Sequence, residues 1–407
     1  MRTSRLKLQS VAKVIVLISI PILFWRFYWY IGFNHNRTAL LSFLLAAGLL
    51  LYLIYLGING RLRRINRKST YSVYILLFML VVLFSMFNAG LFWNQSLVLT
   101  FRAGYSVFVL LYFYLLYRFE LSFELGERLI LFFSTVYFLL WLYAVSQAPA
   151  VVFGNLDVIR DDRGFARINQ LNSIDLVYLA YFISLVKLST SSTTKKTVWW
   201  GVLIVSFALI VYTLSRMVIL ATLLITLVYI FRRKPFYLLL AVLFVSFFYG
   251  YIINNPVVAS LIELTQDEVE SGSKSALRVV EYTQFGDYYP FRISTFLFGN
   301  GAPHVASSYG VYEESLKASF RFNRSDAGYI GMYVTYGISS IVLLILLLMK
   351  VIKQKVSLQA MPFKLFVIFL FIINITSWEF FSCGIGFVIS LYFLDIDRNR
   401  SLGQVIP

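Results

Sequence analysis

Read for apolar periodicity, the chain shows neither the alternation of a half-buried strand nor the narrow stripe of a soluble helix. It shows apolar runs of about 15 to 22 residues separated by short polar or basic breaks. The runs fall near 11–31, 38–58, 72–92, 97–117, 129–150, 171–189, 197–213, 217–231, 236–253, 327–349, 363–377 and 380–394. A helix needs roughly 20 residues to cross a bilayer, so the pattern predicts an all-α polytopic membrane protein of about 12 transmembrane helices. The shortest of these runs are the last two and the 197–231 pair. Residues 1–407 then make a single integral membrane domain, with no internal repeat and no linker long enough to separate domains. The first run follows Arg2, Arg5, Lys7 and Lys13 as a signal sequence would. It is long, contains Arg26 and lacks a small-residue cleavage pattern, so a retained helix is expected.

Of the 407 residues, 59% are hydrophobic and 14% charged, against about a quarter charged in soluble domains. A net charge of +17 would suggest nucleic acid in a soluble protein; here the question is which side of the membrane carries the cations. With the N-terminus in the cytoplasm, the runs place Arg61, Arg63, Arg64, Arg67 and Lys68 inside, followed by Lys195 and Lys196, Arg232 to Lys234, and Lys350, Lys353 and Lys355. Twelve crossings return the C-terminal tail, with Arg398 and Arg400, to the same side. Topology alone accounts for these clusters, and no nucleic-acid partner is expected.

The cations left outside are Arg26, Arg37, Arg102, Arg160, Arg163, Arg167, Arg216, Lys274, Arg278, Arg292, Lys317, Arg321 and Arg324, 11 arginines and 2 lysines among the 36 cations. The inner side holds 12 arginines and 11 lysines. The planar guanidinium fork matches phosphate bidentately and tolerates partial burial, so this asymmetry points to a diphosphate ligand outside. The plainer alternative is pairing with the outside acids, among them Asp157, Asp161, Asp162, Glu281, Glu313 and Glu314.

Two outer segments exceed a simple turn: residues 151–170, a first functional loop, and residues 254–326, a large extracytoplasmic loop between the ninth and tenth helices. Residues 261–285 have the pattern of an amphipathic helix. Arg216 stands between two apolar runs, at membrane depth or the outer interface, where an ionisable group is a functional candidate and snorkelling is the alternative. Arg160, Arg163 and Arg167 surround Asp161, Asp162 and Gly164 in a turn suited to an anion or to neutralising itself; Asn169, Asn172 and Asp175 beyond it could cap a helix or bind sugar. Phe298-Gly299-Asn300-Gly301 lacks the strand and third glycine of a nucleotide loop, which makes a structural turn the plainer reading of Gly299 and Gly301. Asp326 takes an N-cap position and is either a cap or a general base. Tyr282, Phe285, Tyr288, Tyr289 and Phe291 would either stack on sugar faces or bury the loop onto the bundle.

Only His35 and His304 exist, and the lone Cys383 lies in an apolar run, so a His-rich site, a Cys cluster and an intrachain disulfide are excluded. No Walker loop, Gly-x-Ser-x-Gly elbow or His-Glu-x-x-His helix occurs.

Taken in order, Arg163, Gly164, Asn169 and Asn172, then Ser215-Arg216, Arg278, Phe298 to Gly301, and Asp326 ahead of Tyr336-Gly337, resemble the O-antigen polymerase and O-antigen ligase superfamily, the Wzy-like polysaccharide polymerases. The likeness covers residues 151–348 and the helix count. Where the ligases carry His-Asn, this chain has Ser325-Asp326-Ala327, which favours polymerase over ligase.

The resemblance implies a GT-C-like membrane-embedded glycosyltransferase in the bacterial cytoplasmic membrane, inverting and metal-independent, with no cofactor. Its substrates would be undecaprenyl-diphosphate-linked oligosaccharides on the outer face, destined for O-antigen, capsule or exopolysaccharide. Arg216 and Arg278 would stabilise the leaving diphosphate and Asp326 would accept the acceptor hydroxyl's proton. Arg163 and Arg167 would hold a lipid diphosphate, with Arg292 in reserve. Gly299, Gly301 and Tyr282 would line the substrate site. A chain-length regulator and a flippase would be partners. A ligase moving finished glycan, and a flippase or other transporter of the lipid-linked oligosaccharide, are the competing readings.

Overall fold

A computed structural model describes residues 35–62, 69–147, 174–190, 193–212, 215–231, 285–320, 327–377 and 384–402, with the short pieces 65, 150, 152, 159–160, 167–168, 236 and 324. The described chain is helical apart from one two-residue ladder. In order it forms α1 (His35–Ile58), α2 (Tyr71–Trp93), α3 (Leu97–Gly104), a 3-10 stretch (Tyr105–Leu111), α4 (Tyr112–Phe119), α5 (Phe123–Gln147), β1 (Ile159–Arg160), β2 (Arg167–Ile168), α6 (Ile174–Thr190), α7 (Thr193–Tyr212) and α8 (Arg216–Phe231). After a short 3-10 turn (Phe285–Tyr288) come α9 (Ile293–Phe298), α10 (Ser308–Phe320), α11 (Gly328–Lys353), α12 (Met361–Ile373) and α13 (Gly384–Ser401).

Ten of the apolar runs coincide with these helices, α3 to α4 acting as one segment; the runs near 11–31 and 236–253 lie outside the described residues. Five helical segments are long and apolar enough to cross a membrane: Tyr71–Trp93, Leu97–Phe119, Phe123–Gln147, Lys195–Tyr212 and Gly328–Lys353. Their outward faces stay apolar, with Phe84, Phe87, Phe132 and Leu139 all exposed, as helices that meet lipid require. The protein is a helical membrane protein.

Local chemistry sets the helix ends. Asn94 and Glu120 adopt left-handed backbone (φ 51° and 53°) after α2 and α4, Ser96 caps α3 by accepting from the Leu99 N–H, and Pro362 opens α12. α13 is buried on every side and packs against α2, α4, α6 and α12. Small residues allow the close approach: a Cβ on Gly126 would lie 2.3 Å from the Phe393 ring, and one on Gly384 2.5 Å from Val109.

The contacts divide the bundle into two ends. At one, Asp395 of α13 accepts from the Thr70 N–H (3.0 Å) and the Tyr117 hydroxyl. Tyr71 donates to Gln354 (2.5 Å), Gln354 to the Leu394 carbonyl (2.7 Å), and the Ser357 N–H to Asp397 (2.9 Å). Lys187 pairs with Glu127 there (2.7 Å). This is the end that positive-inside counting assigns to Lys350, Lys353, Arg398 and Arg400, and the start of α2 meets the end of α4 as alternating crossings demand. At the opposite end the buried Asp175, the second residue of α6, accepts from the Gly386 N–H in the first turn of α13 (3.0 Å), so it ties α6 to α13 instead of capping its own helix.

Candidate functional site

The opposite end holds the site. Residues 289–304 do not stay beyond the helix ends: they turn down between α2 and α11. Asn88 of α2 donates to the carbonyls of Ser294 (3.1 Å) and Gly299 (2.8 Å), Phe298 stacks on Phe84 at 4.7 Å, and Gly301 lies against the Ser85 carbonyl. Ser85 precedes the end of α2 at Trp93 by eight residues, about 12 Å at 1.5 Å per residue. The turn therefore folds back between the helices, about two turns below the end of α2, a candidate membrane span, where the sequence suggests a loop wholly beyond the helix ends.

Non-helical backbone at such depth must find internal partners. It finds them at a break in α11. Gly337 has φ 71° and ψ 178° in the middle of that helix, so the Val334 and Thr335 carbonyls lose their onward helical partners. The N–H groups of Asn300 (2.8 Å) and Gly301 (2.9 Å) donate to them instead. Gly299, at φ 75° and ψ −177°, presses on α11 so closely that a Cβ would sit 2.2 Å from the Thr335 carbonyl; a Cβ on Gly337 would sit 2.3 Å from that of Leu297. Two glycines in backbone that only glycine occupies comfortably thus face each other's chain. The Gly299 N–H is also used, on Thr295 (2.7 Å). The structural turn is what Gly299 and Gly301 build, and their N–H groups are spent on protein rather than held for a phosphate.

Above this joint the buried Arg324 pairs with the half-buried Glu313. Arg324 grips Glu313 of α10 with two parallel donors, Nε to Oε1 at 2.9 Å and Nη2 to Oε2, while Nη1 reaches Thr335 (3.1 Å) and the Gly301 carbonyl (3.4 Å). Tyr289 donates to Glu313 (3.0 Å), Tyr309 to the Gly301 carbonyl (3.2 Å), and Trp93 stacks on Tyr309 at 4.3 Å. Burial acts to lower the Arg324 pKa, but the Glu313 carboxylate outweighs it and holds the guanidinium above its ordinary range. Burial likewise pushes the Tyr289 and Tyr309 phenols up, keeping them as donors.

Of the predicted site cations, Arg216 and Arg292 have described side chains. Arg216 opens α8, half-buried. It follows α7, whose terminal Tyr212 meets Trp141 near the end of α5 (4.8 Å), so it belongs to the re-entrant end. Arg292 starts α9, exposed, its guanidinium 4.5 Å from the Phe92 ring. The hairpin register sets Arg160 opposite Arg167; the Arg167 side chain, Arg163, Gly164, Asn169 and Asn172 lie outside the described residues. So do Arg278, Tyr282, Asp326, Cys383 and the amphipathic pattern up to residue 284. The cap of α11 is Ala327 and not Asp326, one residue later than the sequence suggests. Of the aromatic group, Phe285 and Tyr289 are buried, taking the loop-burying alternative, while Phe291 is exposed.

Sequence reasoning missed Asn88 as an organiser and left the partner of Arg324 open among several outside acids. Asn88, an amide inside an otherwise apolar run, was the available signal; the Glu313–Arg324 spacing carries none. Among the described residues no His, Cys, Asp or Glu group is arranged to hold a metal ion. No protein-family model and no characterised protein matches the chain.

Proposed function

We propose that this membrane protein is a polymerase of undecaprenyl-diphosphate-linked oligosaccharide repeat units, a GT-C-like bundle of about 12 helices with both termini cytoplasmic. The observation that carries the reading is the difference between the two ends. Positive-inside counting gives the outer side 11 arginines and 2 lysines, and the backbone there folds back between α2 and α11; the inner side has 12 arginines and 11 lysines, with tight hydrogen-bonded closure.

The chemistry follows from charge. An acceptor sugar hydroxyl attacks the donor's anomeric carbon from the face opposite the lipid diphosphate. The new C–O bond forms as the old one breaks, the diphosphate leaves with the electron pair, and the configuration inverts. Asp326 takes the hydroxyl proton. Arg216 and Arg278 stabilise the charge growing on the leaving diphosphate in a water-poor site, with Arg163, Arg167 and Arg292 available to the second lipid diphosphate. Fixed guanidinium groups supply the stabilisation that a divalent metal gives elsewhere.

One observation favours a second reading. A helix broken at Gly337 and a re-entrant partner are features of transporters, where freed backbone lines a substrate path, so a flippase of the same lipid-linked oligosaccharide is the rival. Deleting the gene and sizing the surface glycan and the lipid-linked intermediates separates them. Loss of long polymer with single repeat units exposed outside supports polymerisation; repeat units retained on the cytoplasmic face refute it in favour of transport.

A further inference from the structure

The segment from Phe291 to Phe296 has its polar and apolar sides reversed for a turn that faces water. Thr295 is buried, its hydroxyl spent on the Pro290 (2.7 Å) and Arg292 (3.0 Å) carbonyls. Ile293 is 79% exposed and Phe291 75%, and Phe296, which packs on Phe291 at 5.7 Å, is exposed as well. The contacts of this segment step down α2 in order: the Arg292 guanidinium on the Phe92 ring (4.5 Å), the Ser294 carbonyl on Asn88 (3.1 Å), the Phe298 ring on Phe84 (4.7 Å). From Phe92 to Phe84 is about 12 Å of helix, within a segment long and apolar enough to cross a membrane. Over the same length α2 exposes Leu91, Phe87 and Phe84. The apolar face of α9 is thus level with the lipid-facing side of α2 and continuous with it through Phe84. Arg292 marks its upper edge, exposed beside the next-to-last residue of α2, and no carboxylate among the described residues pairs with it.

We propose that residues 291–296 are a docking surface for an anionic phospholipid of the leaflet at this end of the bundle. Acyl chains cover Phe291, Ile293 and Phe296, and the Arg292 guanidinium, braced on Phe92, takes the phosphate. An exposed apolar face beside a lipid-facing helix is covered by the same hydrocarbon without a boundary between them. Arginine suits the edge, because its long stem lies along apolar surface while its fork reaches two phosphate oxygens at the polar interface. The surface does not depend on the polymerase reading, since a transporter would sit in the same bilayer.

The test uses the full chain with Cys383→Ser and Ile293→Cys, labelled with a bimane fluorophore, in phosphatidylcholine nanodiscs. Three quenchers are compared: aqueous iodide, and phosphatidylcholine or phosphatidylglycerol carrying a nitroxide on an acyl chain. Both lipid nitroxides should quench and iodide should not. The phosphatidylglycerol probe should act at roughly fivefold lower mole fraction than the phosphatidylcholine probe, the preference one cation near the surface confers. Arg292→Gln should abolish that preference with lipid quenching retained, and Arg292→Lys should keep part of it. Ile293 supports neither hydrophobic core, so the labelled protein folds, and Phe291→Cys reads the same patch from a second position. Quenching by iodide, or protection from all three quenchers, would show water or protein over the patch and overturn the proposal. So would equal quenching by the two lipids before Arg292 is changed. Relief of the phosphatidylglycerol quenching by a far smaller amount of polyprenyl phosphate would give the site to that lipid and overturn it too.

Discussion

The joint between the re-entrant turn and broken α11 can be tested by adding one methyl group. Gly299→Ala places a Cβ 2.2 Å from the Thr335 carbonyl carbon and oxygen and 2.3 Å from the Tyr336 nitrogen, at φ 75° and ψ −177°. Backbone of that kind costs a non-glycine residue about 1–3 kcal/mol, and the clash, being with main chain, adds roughly 1–3 kcal/mol. Gly337→Ala meets the same terms against Leu297 and Phe298. Each variant should therefore lose about 2–6 kcal/mol of stability. Both relax the same joint, so the double variant should lose clearly less than the sum. Gly201→Ala is the control, since its Cβ would meet nothing within 4 Å and its backbone is helical; it should gain up to about 1 kcal/mol. The assay is thermal unfolding in nanodiscs with chemical denaturation for the energies. If Gly299→Ala unfolds within about 0.5 kcal/mol of wild type, the two facing glycines are not required and the account of the re-entrant joint is wrong.

Other consequences are open to measurement. Arg324→Met leaves the Glu313 carboxylate without its guanidinium partner and should cost about 3–5 kcal/mol, much of which the Arg324→Met, Glu313→Leu double variant recovers; a double-mutant cycle with no coupling would contradict the buried pair. Asp395→Ala removes the acceptor of the Thr70 N–H and the Tyr117 hydroxyl, at about 1–3 kcal/mol for each buried donor left unsatisfied, and an unchanged melting temperature would show that this end is held otherwise. In a Cys383→Ser background, a membrane-impermeant maleimide applied to whole cells should label His304→Cys and spare Lys353→Cys; the reverse pattern would invert the proposed topology. Arg216→Ala should abolish long polymer with the protein still inserted, and Arg216→Lys should restore only part of it. Normal polymer in both variants would remove Arg216 from the chemistry.

The apolar runs determined by themselves that the chain forms apolar helices and roughly where ten of them lie, five of them long enough to cross a membrane, because run length against bilayer thickness is a local property. Three things were decided only in three dimensions. Phe298 to Gly301 reads as an outer turn, yet it inserts beside Asn88 because the carbonyls freed at Gly337 need donors, a demand created 36 residues further along the chain. Glu313 and Arg324 are two charges in a stretch where each has several possible partners; only the tertiary packing that sets α10 against α2 selects the pair and buries the guanidinium. The aromatic cluster reads as uniform, but burial divides it, drawing Tyr289 into the core and leaving Phe291 to face outward. Helix formation answers to neighbouring residues and the surrounding solvent, whereas the partners of freed backbone and buried charge are set by whichever distant segment the fold brings alongside.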